Sequence, residues 1–320
     1  MIKRRSVLAA AAALGAPYAA RAQDFPRKPV TLVVSYAAGG MADILGRRVA
    51  LALSKAWDQP VLIENRAGAS QIVAAHHVSK AAPDGHTLLL CEEAVYTVNP
   101  HLYGKLPYSV AELTPVVDLV EAKTALFTHK GFGATTLDDY VRVAKSRPGS
   151  INYASLGAGG VVHLMMESLL RARKFDAVHV AYKSYPEAIQ SLLTDQVQGM
   201  FGSIGGPPLD HLRSGTLVAI ATSGKRRSPL LPAVPTFSEL GVEIPRSHFV
   251  VFGPAGMPGR VVESINAAMR DSLRGDVAST LLAPNALEVL GSTPAEFARS
   301  LQQQSRQMAV LVKQVGVRLD

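Results

Sequence analysis

Cysteine is nearly missing from this chain, with Cys91 alone among 320 residues. A disulfide framework is thereby excluded, and a chain of this length can bury enough apolar surface to hold together without one. Cys91 closes the apolar run Thr87–Cys91, so it is expected as a small buried hydrophobe, not a catalytic thiol or metal ligand. Membrane-spanning runs are lacking too: the apolar stretch Ser6–Ala16 falls short of the about 20 residues that a spanning helix needs. Basic clusters are absent, since Lys and Arg are mixed among acids along the sequence, and a nucleic-acid surface is excluded with them. Nucleotide loops are missing as well. No G-x-x-x-x-G-K-[ST] occurs, and Val162 stands where G-x-G-x-x-G needs its last glycine. No cofactor is expected. His76 and His77 are adjacent on a predicted helix and diverge by about 100°, which is wrong for a shared metal.

What is present begins with Lys3, Arg4 and Arg5, then the apolar run, then Ala20-Arg21-Ala22 ahead of Gln23. That order predicts a cleaved signal peptide over residues 1–22 and export to the periplasm, by the Sec route in preference to the twin-arginine route. No cysteine near the cleavage point offers a lipid anchor. Removing Lys3, Arg4, Arg5 and Arg21 lowers the formal net charge from +8 to +4. A mildly positive remainder is compatible with an anionic small ligand.

Short β-branched runs alternate with helical spacing through the rest. Strands are predicted at 30–36, 61–64 and 87–91, with helices at 43–57 and 71–80 between them. The order repeats with helices at 136–147, 161–173 and 185–193 among strands at 151–155, 177–182, 198–201 and 218–222. A proline-rich connector (Pro229, Pro232, Pro235), a strand at 248–252 and a helix at 258–273 follow. Thr293-Pro294-Ala295-Glu296 then reads as a capping box with proline at the first helical position. Such alternation predicts an α/β fold with parallel sheets covered on both faces. Two repeats predict two α/β domains: a discontinuous one of residues 23–124 and 225–320, and a second of residues 125–224. The crossings are expected near Glu121–Ala125 and Thr222–Lys225.

Two glycine-rich turns each join a strand to a helix. The first is Tyr36-Ala37-Ala38-Gly39-Gly40-Met41-Ala42-Asp43, and the second is Ser155-Leu156-Gly157-Ala158-Gly159-Gly160-Val161. Glycine lets backbone N–H groups turn inward, and a helix N-terminus adds positive partial charge, so either turn can hold a carboxylate. Each can also be a plain tight turn, but one per domain points to an anion site in the cleft between them. Catalytic patterns fare worse. Tyr153 occupies the glycine position of a nucleophile elbow around Ser155, and His163 is better placed to cap the pocket than to act as a base. No residue is assigned a catalytic role.

The chain resembles the Bug-type solute receptors of tripartite tricarboxylate transporters over essentially all of its length after residue 22. The marks are Phe25-Pro26-x-Lys28-Pro29, Gly39-Gly40-x-x-Asp43, Glu64-Asn65-Arg66-x-Gly68-Ala69, Ala82-Pro83-Asp84-Gly85 and Asn99-Pro100-x-Leu102-Tyr103. Further along come Asn152-Tyr153, His163-Leu164, Val178-His179-Val180-x-Tyr182-Lys183, Pro235-Thr236 and Pro254-Ala255-Gly256-x-Pro258. The resemblance implies a type II periplasmic-binding-protein fold closing on a small organic carboxylate. It also implies no enzymatic activity and, as partners, the membrane subunits of a transporter. A two-domain enzyme or a ligand sensor would use the same cleft. The protein is expected to be a monomer. The ligand-binding set is Tyr36, Ala37, Gly39, Gly40, Asp43, Glu92, Ser155, Gly157, Gly159, Gly160, His163, Tyr182 and Ser203. Several positions depart from the family. Ala37-Ala38 replaces Pro-Pro, Leu156, Ala158 and Val161 replace hydroxyl or amide residues, and Gly202 replaces an aspartate. Glu92-Glu93 replaces small polar residues at a strand end, where adjacent side chains face opposite ways and at most one glutamate reaches the cleft.

Overall fold

Two sheets divide the chain. The computed structural model describes residues 25–319, so the predicted signal peptide lies outside the described residues. The first sheet begins with β1 (Val30–Val34), β2 (Val61–Asn65) and β3 (Thr87–Glu92). It adds β4 (Leu113–Ala122), β10 (Ser247–Pro254) and β11 (Leu287–Val289), in the order β11-β4-β10-β3-β1-β2. The second contains β5 (Thr124–His129), β6 (Asn152–Ser155), β7 (Val178–Ala181), β8 (Gly199–Ser203) and β9 (Leu217–Thr222), in the order β7-β6-β8-β5-β9.

Period-two alternation explains why helices cover both faces. In β1 and β3, Leu32, Val34, Leu88 and Leu90 pack under α1 (Met41–Trp57) and α9 (Gly259–Ser272). Their neighbours Val33, Leu89 and Cys91 point the other way, toward α2 (Ile72–Ser79) and α10 (Pro294–Val315). Cys91 is fully buried there. Burying each such Val or Leu contributes roughly 1.5–3 kcal/mol relative to exposure. In the second sheet, Tyr153 and Phe201 face α5 (Leu137–Ser146) and α6 (Val161–Arg173), while Ala154 and Met200 face α7 (Tyr185–Leu193). The capping residues fall where predicted: Thr136 accepts from the Asp139 N–H, and Thr293 forms a capping box with Glu296.

Two expectations need correction. The sheets are mixed, not parallel: β10 runs antiparallel to β3 and β4, and β5 runs antiparallel to β8 and β9. Strands β5 and β10 enter their sheets from the cleft side, so they oppose the strands that end there. The second crossing also comes later than Thr222–Lys225. After β9 the chain stays with the second sheet, bridging Thr222 to Thr236 and burying Phe237 and Val242 in that lobe's core. It returns to the first sheet only at Ser247.

The crossings share a buried charge cluster. Lys123, between β4 and β5, is 5% exposed, and its Nζ lies 2.7 Å from Glu288 and 3.3 Å from Glu121. Arg246 reaches Glu121 from the second crossing at 3.4 Å.

Candidate functional site

A cavity of about 440 Å³ lies between the lobes, within the usual range for small-ligand sites. Its first wall follows β1. Asp43, 3% exposed, shapes the turn: its Oδ2 accepts the Gly39 N–H and the Arg47 Nε–H, each at 2.9 Å. Its Oδ1 accepts from Asn65 Nδ2 at 2.9 Å, and the same amide reaches the Tyr36 carbonyl at 3.1 Å. The Arg47 hydrogen bond is the chief reason that the Asp43 pKa falls to about 2. Gly39 sits at φ +86°, a conformation open to glycine, whereas Gly40 at φ −78° is ordinary backbone.

The second wall follows β6. The Ser155 hydroxyl accepts the Gly157 N–H at 3.1 Å and lies 2.6 Å from His179 Nε2. His163 Nδ1 accepts the Gly159 N–H at 2.9 Å. Its ring stacks on His179, with 4.2 Å between the two imidazole centroids, and His179 stacks in turn on Tyr153 at 5.1 Å. Burial first, and then the neighbouring His179, lower the His163 pKa to about 4, so the ring is neutral at pH 7. The Ser155–His179 distance suits a nucleophile and base, but Ser155 is fully buried and its oxygen is engaged by its own loop. Gly159, at φ +77°, lies against Leu102 of the first lobe, and an added Cβ would overlap that side chain.

These bonds change the expected anion grip. The amides of Gly39, Gly157 and Gly159 are already committed to Asp43, Ser155 and His163. The Gly160 amide, too, donates within the turn, to the Gly157 carbonyl at 3.4 Å. N–H groups of a helix first turn, by contrast, have no intrahelical partner. Met41 at the start of α1 and Val161 and Val162 at the start of α6 line the cavity.

Of the thirteen residues singled out from sequence, Tyr36, Glu92, Gly157, Gly159, Gly160 and Ser203 line the cavity. Asp43, Ser155 and His163 are buried behind it as supports for the turns. Ala37, Gly39 and Gly40 sit on the exposed outer part of the first turn, and Tyr182 packs beside the second sheet's core. Sequence patterns missed Ser35, Gln71, Asn99, Tyr185 and Ser247, all of which line the cavity. Asn99 opens an Asn-Pro pair within the recognised motif, which was a usable signal. Tyr185 had none. Its hydroxyl is buried without a hydrogen-bond partner among the described residues, and the Ser203 backbone amide faces it without completing one. Gly202 makes the room, because a Cβ there would overlap that hydroxyl.

The two glutamates separate where β3 ends: Glu92 is its last residue, and Glu93 already has helical backbone, at φ −60° and ψ −17°. Glu92 lines the cavity, and its Oε1 accepts the Ser247 hydroxyl at 3.2 Å. Burial raises its pKa, against the opposing pull of Tyr36, Ser247 and Gln71. Glu93 turns away and accepts the His248 N–H at 2.8 Å.

A family model described as the tripartite tricarboxylate transporter family receptor matches residues 45–317. The chain belongs to that family. Among its relatives, protein BugT of Bordetella pertussis is 29% identical over 318 residues, covering 98% of this chain and 96% of that protein. A solved Rhodopseudomonas palustris protein with adipate superposes with a TM-score of 0.80 at 27% identity, covering 92% of this chain and 99% of that one. MatC from Rhodopseudomonas palustris, with bound malate, gives 0.76 at 30% identity over 90% and 100% of the two chains. The tripartite-transporter receptor fold is thus that of a periplasmic solute-binding protein, and the resemblance to Bug-type receptors holds.

Proposed function

We propose that this receptor captures a small organic carboxylate in the interlobe cavity and delivers it, as a monomer, to the membrane subunits of a tripartite transporter. In this reading it acts in the periplasm after residues 1–22 are removed. One observation carries it: the N-termini of α1 and α6, from opposite lobes, border the same cavity, and their first-turn amides need an acceptor. The adipate and malate found in structural neighbours fit the same chemistry. The first-turn amides at Met41, Val161 and Val162, with Tyr36 and Ser203 beside them, are the direct contacts in this proposal; Gly157 and Gly160 leave the space beside them, and Asp43, Ser155 and His163 hold the turns in shape.

The test is a thermal-shift and calorimetric screen over mono-, di- and aminocarboxylates with the chain lacking residues 1–22. A ligand at 100-fold its Kd adds about 2.7 kcal/mol to stability. Gly160 is the position to vary, because its φ of −65° and nearest neighbour at 3.5 Å leave a side chain room to fold. Gly160→Val should keep unfolding stability within about 1 kcal/mol while weakening carboxylate binding at least tenfold. If no carboxylate in the screen binds, the proposal fails. Unchanged affinity in a folded Gly160→Val would show that the second turn is structural only.

A further inference from the structure

Among the described residues lining the cavity, Glu92 alone carries a formal charge, and that charge is negative. Among the described residues three of the four buried acids have cations of their own, and the fourth, Glu93, instead accepts the His248 N–H at 2.8 Å. Asp43 has Arg47 at 2.9 Å, Glu121 has Lys123 at 3.3 Å and Arg246 at 3.4 Å, and Asp118 has His248 at 2.9 Å. Glu92 has no such partner among the described residues. It has the Ser247 hydroxyl at 3.2 Å, with Tyr36 and Gln71 beside it. Half-buried at the cavity wall, its carboxylate has lost part of its water without gaining a cation, and three neutral donors only partly offset the loss. That cost is relieved in either of two ways: by protonation, toward which burial moves the group, or by a cation that an arriving ligand brings.

We infer that the cavity is built for a ligand with a positively charged nitrogen, Glu92 pairing with an ammonium group while the ligand carboxylate meets the helix N-termini. The inference rests on the carboxylate reading above and names its substrate class: an amino acid or betaine, not a di- or tricarboxylate. A second ligand carboxylate would face Glu92 with no Lys or Arg among the described lining residues to neutralise either group, and like charges at that range repel. The rest of the wall agrees. Leu156 and Val161 stand where hydroxyl-bearing contacts would serve a polyanion, and Tyr36 and Phe249 pack edge to face with centroids 6.4 Å apart. Aromatic faces and a carboxylate together form the usual environment of an organic cation. The unpartnered Tyr185 hydroxyl adds one polar contact without charge.

The experiment compares matched ligands on wild type and Glu92→Gln by calorimetry at pH 7.5. One panel holds α-amino acids, ω-amino acids of two to six carbons, and their trimethylammonium analogues. The other holds monocarboxylates and dicarboxylates of equal length, including adipate and malate. At least one ammonium carboxylate should bind tenfold or more tighter than its monocarboxylate and dicarboxylate counterparts. Glu92→Gln should erase that advantage, the ammonium carboxylates losing at least tenfold in affinity while the dicarboxylates, no longer repelled, gain. Adipate, malate or another dicarboxylate binding best to wild type overturns the inference and leaves the carboxylate proposal standing. An ammonium preference that survives Glu92→Gln overturns the role of Glu92. Binding by neither panel overturns both. The wild-type comparison stands even if the variant does not fold.

Discussion

Replacing Asp43 with asparagine should loosen the first turn in a manner that depends on pH. The carboxylate takes three hydrogen bonds from Gly39, Arg47 and Asn65, each 2.9 Å long. An amide cannot accept at both of its ends, so the Asp43→Asn side chain must set its own NH₂ either against Arg47 and Gly39 or against Asn65. The Asp43 pKa falls from 3.8 to about 2, led by the Arg47 bond. At about 1.4 kcal/mol per pKa unit that is roughly 2.5 kcal/mol at most. Arg47 is 55% exposed, so solvent screening reduces the figure to about 1–2 kcal/mol. A lowered carboxylate pKa stabilises the fold above the unfolded value near 4, and that stability is lost as pH falls toward 2. Urea unfolding of wild type and Asp43→Asn should therefore differ by about 1–2 kcal/mol at pH 7 and converge near pH 2. Ligand affinity at pH 7 should drop as well, because the turn beside α1 loses its shape. A difference between the proteins that stays constant from pH 7 to pH 2 would refute the electrostatic account and leave only packing.

Two other changes probe the groups behind the cleft. Lys123→Met leaves Glu121 buried with Arg246 as its remaining cation among the described residues and should cost about 3 kcal/mol in urea unfolding; adding Glu121→Gln should recover part of it, and a single variant within 1 kcal/mol of wild type would contradict the cluster's role. Burial raises the Glu93 pKa to about 8, so the unfolded chain releases a proton that the folded one keeps. Wild-type stability should then fall as pH climbs from about 5 to about 8. His248 adds to the same trend: burial by itself would lower its pKa, but the Asp118 bond and the nearby acids together raise it. Glu93→Gln should gain at least about 1 kcal/mol on wild type between those two pH values, and parallel curves would rule the titration out.

Local chemistry was enough to write most of the element order and both glycine turns. Apolar spacing placed helices at residues 43–57 and 161–173, close to the observed Met41–Trp57 and Val161–Arg173. It also put Cys91 in the core, while Glu92 and Glu93 part because the strand gives way to a helical turn at Glu93 and not through strand parity. These features depend on neighbours within a few residues, which a linear pattern records. The rest depends on partners that the chain brings from far away. Glu92 was chosen by Ser247, 155 residues on, and Lys123 is held by Glu288 from the C-terminal part. Gly202 reads as an empty position until the Tyr185 hydroxyl is seen to occupy its space. The glycine amides looked free for a ligand because nothing in the string says that Asp43, Ser155 and His163 turn back to take them. Antiparallel strands β5 and β10 likewise follow from the path between two lobes, which strand composition does not encode. Sequence alone determined an α/β receptor with two glycine-rich strand-to-helix turns; packing between the lobes decided which groups remain unsatisfied inside the cleft, and in our proposal those are the groups that a ligand completes.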